Sequence, residues 1–396
     1  MKTINNFEIK EKKLLIRADL NVPVTNGKIA DLSRIIAIKS SIHKMIKNKN
    51  KIFLISHFGR PKGKYNKKYS LRFICKTLAD ELGIEKIKFV DSYDKNKITE
   101  IQNNLKFGEV CLFENVRFNE GEEINDLNFA KKLSECFDIY INDAFSASHR
   151  NHASIVGITN YLPSVAGDHM IKEIKYLNLH LKKPKKPNTA IIGGSKISTK
   201  IKLLNNLIEH FDNIILGGAM ANNFLKAKNL SIGKSLIENK LIDEASKILT
   251  KAKNFDCNFV LPMDVVCSSN ISDLENIVHC KVENILPDRM ILDIGNQSIE
   301  KIKKILLKSK MILWNGPLGA FEFEPFDNAT KEVVNTINQN SKKINFTTIA
   351  GGGDTISAIK MFKGESAFSY ISNAGGAFLE WLEGKESPGV KALKDN

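Results

Sequence analysis

The sequence predicts an α/β protein built from two doubly wound, parallel-sheet (Rossmann-like) domains. Three observations carry that prediction. The chain has 396 residues, more than one ordinary domain and suited to two. Short apolar, β-branched runs alternate with helical patterns along almost its whole length, the signature of βαβ units. The strand-like runs are also nearly continuously hydrophobic, as in parallel sheets covered on both faces.

In the first half the strand-like runs are 13–19 (KLLIRAD), 51–56 (KIFLIS), 86–90, 109–115 (EVCLFEN) and 139–143. The second half offers 189–193, 213–217, 258–266, 290–294, 310–315 and 346–350. Helical patterns fill gaps at 33–47, 70–82, 125–136, 198–210 and 243–253. So many strands exceed one sheet, and the Lys/Pro stretch 182–187 (KKPKKP) marks a break. The expected organisation is therefore a first domain over 1–170 and a helix with linker over 171–187. A second domain covers 188–373, and a C-terminal segment, 374–396, returns to the first.

Composition narrows the function classes. With 42% hydrophobic and 26% charged residues, the chain can bury large cores and does not read as disordered. No apolar run reaches the roughly 18–20 residues of a membrane span, and the first residues lack the apolar core of a secretory signal. Six cysteines are scattered without C-x-x-C or zinc-like His spacing. That suits a reduced, cytoplasmic setting rather than a disulfide or zinc scaffold. The formal charge of +15 invites anions: nucleic acid, a membrane surface or small phosphorylated molecules. Its lysines spread evenly and lack the interleaved aromatics of a nucleic-acid stripe. A small anionic ligand is the better expectation.

Only seven basic residues are arginines: Arg17, Arg34, Arg60, Arg72, Arg117, Arg150 and Arg289. Where lysine serves as the ordinary point charge, the arginines mark positions that need a planar, bidentate fork. Arg60, Arg117 and Arg150 each follow a predicted strand, and Arg34 opens a helix after the first strand and its turn region. Ligands of open α/β sheets lie outside the carboxyl ends of the strands. Four forks on that rim make a pocket for phosphate or carboxylate groups, the alternative being surface or interdomain salt bridges. Arg17, inside a strand, reads as a structural ion pair; Arg72 and Arg289 carry no assignment.

The second half carries glycine turns instead. Gly193-Gly194-Ser195-Lys196, Gly217-Gly218-Ala219, Gly351-Gly352-Gly353-Asp354 and Ala374-Gly375-Gly376 each end a strand and precede a helix. Such turns let backbone N–H groups and a helix dipole meet a phosphate, although tight βα turns use glycine anyway. Lys196 and Lys200, four apart, are expected on one face at the start of the helix over 198–210. Asp354 is either an N-cap or a magnesium anchor beside phosphates. Two motifs fail: Gly233-Lys234-Ser235 lacks the first glycine of a Walker A loop, since residue 228 is Lys228, and no G-x-G-x-x-G follows the first strand of either half. His149 and His152 read as a solvated or hydrogen-bonded pair rather than metal ligands.

Taken together and in order, these segments resemble the phosphoglycerate kinase family. The matching stretches are RADLNVP (17–23), SHFGRPKG (56–63), ENVRF (114–118), INDAF with HR (141–150) and GGSKIS (193–198). They continue through GGAMANNFLKAK (217–228), LPMDVV (261–266), LDIG (292–295), WNGPLGAFEF (314–323) and GGGDT (351–355). The resemblance runs from about residue 13 to Leu393. It implies reversible phosphoryl transfer between ATP and the carboxylate of 3-phosphoglycerate, giving ADP and 1,3-bisphosphoglycerate. It further implies a cytoplasmic, glycolytic monomer with a deep interdomain cleft and a hinge, needing Mg²⁺ and no nucleic acid or membrane partner.

Carried over by residue, the resemblance gives Asp19 and Asn21 the hydroxyl and carboxyl end of the glycerate. His57, Gly59, Arg60, Arg117 and Arg150 take the 3-phosphate region, and Arg34 reaches towards the transferring group. Lys196 follows that group and Lys200 holds nucleotide phosphates. Gly194, Gly218, Gly352, Gly353 and Thr355 border the phosphates. Asn315 and Glu322 contact the phosphate and ribose ends, and Gly295 borders the base. Asp354 anchors Mg²⁺, and Gly375 with Gly376 forms the transition-state loop. Ser195, Ala219, Asn373 and Ala374 depart from the family pattern, as does Ser146-Ala147-Ser148. None of these removes a charged residue, so an active enzyme is expected, with a catalytically impaired regulatory relative as the alternative.

Overall fold

A computed structural model describes residues 1–181 and 184–396. Lys182 and Lys183 of the expected linker lie outside the described residues. The chain forms two compact units, one comprising Met1–Lys175 with Glu386–Asn396 and the other Tyr176–Lys385.

In the first unit β1 (Lys13–Arg17) is followed by a small hairpin, β2 (Val24–Thr25) and β3 (Lys28–Ile29), and then by α1 (Ser33–Lys47). There follow β4 (Lys51–Ile55), α2 (Cys75–Leu82), β5 (Lys88–Val90), α3 (Lys95–Asn104), β6 (Val110–Phe113), α4 (Glu120–Glu123) and α5 (Leu127–Ser134). β7 (Ile139–Asn142), β8 (Ser164–Ala166) and α6 (Asp168–Leu181) complete this stretch. The six-stranded sheet runs β5-β6-β4-β1-β7-β8, parallel throughout.

The side-chain period of two explains why both faces are apolar. Leu14, Ile16, Ile52, Leu54, Ile139 and Ile141 pack on one side with Ile35, Ile38, Ile42 and Met45 of α1. Leu15, Phe53, Ile55, Phe113 and Tyr140 pack on the other with Ile98 of α3 and Leu133 of α5. Short side chains start the outer helices. Asp94 accepts from the N–H groups of Asn96 and Lys97 at α3, and Asp126 accepts from Phe129 N–H at α5, caps of about 1 kcal/mol each.

The second unit contains β9 (Asn188–Ile192), α7 (Ile201–Leu207), β10 (Asn213–Leu216), α8 (Ala221–Ala227), α9 (Ile242–Asn254) and β11 (Asn258–Val260). β12 (Asp264–Ser268), β13 (Val278–Lys281), β14 (Met290–Ile294), α10 (Asn296–Lys308), β15 (Met311–Asn315) and α11 (Asn328–Asn340) come next. It ends with β16 (Thr347–Gly351), α12 (Gly353–Met361), β17 (Tyr370–Ser372) and α13 (Gly376–Leu382). The last helix, α14 (Pro388–Asp395), belongs to the first unit. A parallel six-stranded sheet runs β11-β10-β9-β15-β16-β17, and β13-β12-β14 form a separate sheet that is antiparallel.

Several expectations need correction. The run 258–266 is two strands in two sheets, broken at Pro262, because a proline has no N–H to give a continuous ladder. The run 290–294 is a strand, but it pairs antiparallel. The helix expected over 198–210 is only α7, preceded by a 3₁₀ turn at Ile197–Thr199, and the one over 70–82 starts at Cys75. The strands β8, β13 and β17 and the hairpin were not foreseen. Among the described residues no helix is long and apolar enough to cross a membrane.

Candidate active site

In the first unit the residues of the expected rim follow the carboxyl ends of β1, β4, β6 and β7, with Arg34 at the start of α1. Asp19, two residues past β1, is their hub. Its carboxylate accepts from Arg34 at the start of α1, from the Ser146 hydroxyl and, at 3.1 Å, from Asn21 N–H. Burial works against that charge, but Arg34, Ser146 and the Asn21 N–H outweigh it and hold the carboxyl well below the usual range.

Asn21 Oδ1 in turn accepts Gly59 N–H at 2.9 Å, and Gly59 O accepts from Arg117 Nη1 at 2.7 Å. Gly59 has φ +61, and a Cβ there would lie 2.3 Å from the Tyr69 ring. The left-handed backbone and the close ring both favour glycine at this turn. One hydrogen-bonded chain therefore links Arg34, Asp19, Asn21, Gly59 and Arg117.

The four forks are not equally open. Arg60 is exposed, and Arg34 and Arg150 are half-buried. Arg117 is 2% exposed and lies 3.2 Å from Glu123. Its burial, with Arg150 nearby, lowers its pKa to about 10. His57 is buried, and burial together with the Arg17 charge keeps its imidazole well below the ordinary range.

Arg17 is not the expected ion pair, since it makes no direct contact with a carboxylate among the described residues. It donates to Ser154 Oγ at 3.0 Å and to Ala18 O at 2.6 Å, and its Nη2 lies 3.2 Å from His57 Nδ1. Ser154 and His57 are far away in sequence, so no local pattern announced them. Ser146, one of the departures from the family pattern, bonds the central carboxylate through its hydroxyl. His152 is buried, with Nδ1 3.5 Å from Glu122.

In the second unit the four glycine turns follow β9, β10, β16 and β17, and Gly316 follows β15. The strand order reverses between β9 and β15, where doubly wound sheets open a crevice. There the backbones touch. A Cβ on Gly193 would lie 1.8 Å from Pro317 O, and one on Gly316 2.2 Å from Gly193 O.

A cavity of about 610 Å³ opens beside them, within the range of small-molecule sites. Gly194, Gly218, Glu322 and Asp354 line it, with apolar walls from Leu236, Val265, Leu292 and Ile294. The departures Ser195 and Ala219 also face it. Gly295 does not, because its N–H bonds Asp264 O at 2.8 Å and residues 290–294 form that wall. Asp293 and Asn222, which line the cavity and are buried, were not singled out from the sequence.

The lysine pair is also rearranged. The 3₁₀ turn separates the two, leaving Lys196 exposed on extended backbone and Lys200 buried at the start of α7. Lys200 donates to Asn315 Oδ1, and Asn315 Nδ2 donates to Gly351 O at 2.7 Å. Burial lowers the Lys200 pKa to about 8, with Asp354 and Glu383 partly opposing the shift. Asn315 is thus a strut between a lysine and a glycine turn. Thr355 is buried and its hydroxyl accepts Gly316 N–H at 2.7 Å, so it braces the same crevice.

Gly352 caps α12, Gly353 begins it, and Asp354 sits exposed in its first turn. Gly375, with φ +54, caps α13, which Gly376 begins. Lys196, Lys200, Asn315, Gly352, Gly353, Thr355, Gly375 and Gly376 are not part of the cavity lining. Among the described residues no three His, Cys, Asp or Glu side chains cluster as a metal cage.

The chain is similar to known proteins over almost its whole length. The family model for phosphoglycerate kinase matches residues 4–385. The phosphoglycerate kinase of the Wolbachia strain wRi from Drosophila simulans is 44% identical over 393 residues, covering 99% of this chain and 98% of its own length. That of Bartonella bacilliformis is 43% identical over 392 residues, with 99% and 98% covered. Among solved structures, phosphoglycerate kinase from Coxiella burnetii superposes with a TM-score of 0.91 at 37% identity, covering 99% of this chain and 98% of that one. The enzyme from Pyrococcus horikoshii gives 0.84 at 29% identity, covering 100% and 98%. Sequence, motif order and both parallel sheets agree, and the chain belongs to the phosphoglycerate kinase family.

Proposed function

We infer that the chain catalyses reversible phosphoryl transfer between ATP and the carboxylate of 3-phosphoglycerate, the ATP-forming step of glycolysis when run towards ATP. The observation that carries this reading is the family match over residues 4–385. The site chemistry supports it. Both reactants are anions, so the task is to offset repulsion and align them. The attacking oxygen is already ionised at neutral pH, so no general base is required.

In this reading Asp19 and Asn21 take the hydroxyl and carboxyl end of the glycerate, and His57, Gly59, Arg60, Arg117 and Arg150 surround its phosphate. Lys200 and the glycine turns at Gly194, Gly218, Gly352 and Gly353 hold the nucleotide phosphates, while Glu322 reaches its ribose. Arg34 and Lys196 stabilise charge on the transferring group, and Gly375 with Gly376 supplies N–H groups from α13. Asn315 and Thr355 brace this arrangement. A closed, hinged, monomeric enzyme in the cytoplasm would align the two substrates and exclude water from the acyl phosphate.

The residues present fit Mg²⁺. One exposed carboxylate, Asp354, stands in the first turn of α12 at the cavity edge, and this ion commonly takes one or two carboxylates with phosphate oxygens and water. When bound, Mg²⁺ neutralises charge on the nucleotide phosphates. The test is a coupled assay of ADP and 1,3-bisphosphoglycerate formation from ATP and 3-phosphoglycerate, with Mg²⁺ and with chelator. Mg²⁺-dependent turnover is expected, and a folded chain with no turnover under either condition would overturn the reading.

A further inference from the structure

Behind the anion rim of the first unit lies a buried chain of polar contacts that the transfer chemistry does not use. Glu122, on α4, is fully buried. Its Oε1 accepts the Ser154 hydroxyl at 2.7 Å and its Oε2 accepts Ser154 N–H at 2.9 Å. Ser154 Oγ accepts Arg17 Nε–H at 3.0 Å, and Arg17 Nη2 lies 3.2 Å from His57 Nδ1. Arg17 is 1% exposed, Ser154 0% and His57 5%. An arginine so far from water needs a counter-charge, and Glu122 supplies it through the serine.

The direction of each bond follows from the chemistry of the groups. A guanidinium has donors only and keeps its charge, so His57 Nδ1 has to be the acceptor. A ring that accepts at Nδ1 carries its hydrogen on Nε2 and is uncharged. At the other end, a carboxylate only accepts, so the Ser154 hydroxyl points to Glu122 and leaves its lone pair for Arg17.

We propose that Glu122, Ser154 and Arg17 are positioning residues that fix His57 as the neutral Nε2–H tautomer, so that the glycerate rim receives a hydrogen-bond donor and not a titrating cation. This rests on the function inferred above, which puts His57 at the substrate. Burial, with the charges of Arg17, Arg117 and Arg150, disfavours a second proton on the ring and outweighs Asp19, which favours one. The consequence is that His57 adds no titration of its own to glycerate affinity in the pH range where an ordinary histidine titrates, leaving only that of the ligand's phosphate.

The test is nitrogen NMR of the imidazoles in the labelled full chain without ligands, His57 being assigned by the signals lost in His57→Gln. The expected spectrum has Nδ1 bare and Nε2 protonated, unchanged from about pH 6 to about pH 8. Ser154→Ala cuts the link. It should give a tautomer mixture, a resolvable His57 titration and a KM for 3-phosphoglycerate that is about tenfold higher and more pH-dependent, with kcat within about twofold. Ser154→Thr, which keeps the hydroxyl, should restore the wild-type tautomer and KM.

A wild-type His57 that is protonated at Nδ1, or that titrates like a free histidine, overturns the proposal. So does a Ser154→Ala protein whose tautomer and pH profile match wild type. Should Ser154→Ala fail to fold, the wild-type spectrum decides alone. A chain with the expected tautomer but no phosphoryl transfer would remove the inferred function and leave the relay standing, so the two failures are distinguishable.

Discussion

Arg34, in the first turn of α1, donates to the carboxylate of Asp19 two residues beyond the end of β1. That ion pair ties the helix start to the strand end and sets where the Arg34 fork lies on the rim. Asp19 is 5% exposed, while the Arg34 side chain keeps 25% of its surface open. The cation is held by a buried anchor yet still presents donors.

Removing that fork should therefore strike turnover more than folding. Arg34→Ala is expected to lower kcat by about 10²-fold or more, as is Lys196→Ala on the nucleotide side. Steady-state kinetics alongside thermal melting would check this. A kcat near wild type in either variant would remove that residue from its assigned role.

In the proposed reaction Lys200 should set a pH limit on nucleotide binding. Its folded pKa is lowered to about 8 by burial from a reference of 10.5, so it loses its charge as pH rises past about 8. ATP affinity should fall over that range, and ATP binding there should take up a proton, because phosphate favours the charged amine. Calorimetry in buffers of different ionisation enthalpy measures the uptake, and Lys200→Met should abolish it. Stability moves the other way. Between about pH 8 and 10.5 the unfolded chain binds more protons at this site, so this contribution to stability rises with pH.

Asp293 offers the opposite sign. Burial raises its pKa from 3.8 to about 8, and one of its oxygens accepts Ala329 N–H at 2.9 Å at the start of α11. Between those values the folded state keeps a proton that the unfolded state has lost, so stability falls as pH rises through the window. Asp293→Asn retains an acceptor without the charge. It should be more stable than wild type at pH 8, with the gap closing towards pH 4; urea titrations at both pH values measure it. An equal gap at the two would show that the carboxyl does not titrate there.

Gly193→Ala tests the crevice between β9 and β15. The added methyl would lie 1.8 Å from Pro317 O, which is backbone and cannot swing aside. A loss of about 1–3 kcal/mol in stability is expected, with weaker ATP binding and unchanged binding of 3-phosphoglycerate. Denaturant curves and separate titrations of the two ligands resolve the effects, and wild-type ATP affinity in a folded variant would count against a nucleotide site here.

The runs that became β1 and β4 were legible because their apolar residues are continuous, and the arginines stood out because they are few. Legibility failed where the signal was short or non-local. β8 and β17 have three residues each, too few to show a period. Pro262 should have divided the run 258–266, and a hydrophobic count alone passes over it. The spacing of Lys196 and Lys200 implied a shared helical face only if the helix began before them, and a 3₁₀ turn intervenes. Arg17 reaches partners 40 and 137 residues away, so its place beside His57 exists only in the folded chain.

The first unit is assembled from two separated stretches of chain. Its helix α14 buries Val390 and Leu393, and Gly389 N–H bonds Ser148 O at 2.8 Å, two residues before Arg150. During synthesis the six-stranded sheet of that unit emerges early, but this cover is made only after all of Tyr176–Lys385. The nascent sheet must wait with one docking surface open, while the second unit has every strand it needs before translation reaches α14. The later unit is thus complete in sequence before the earlier one, and the loop that carries Arg150 gains its last support when that distant helix docks.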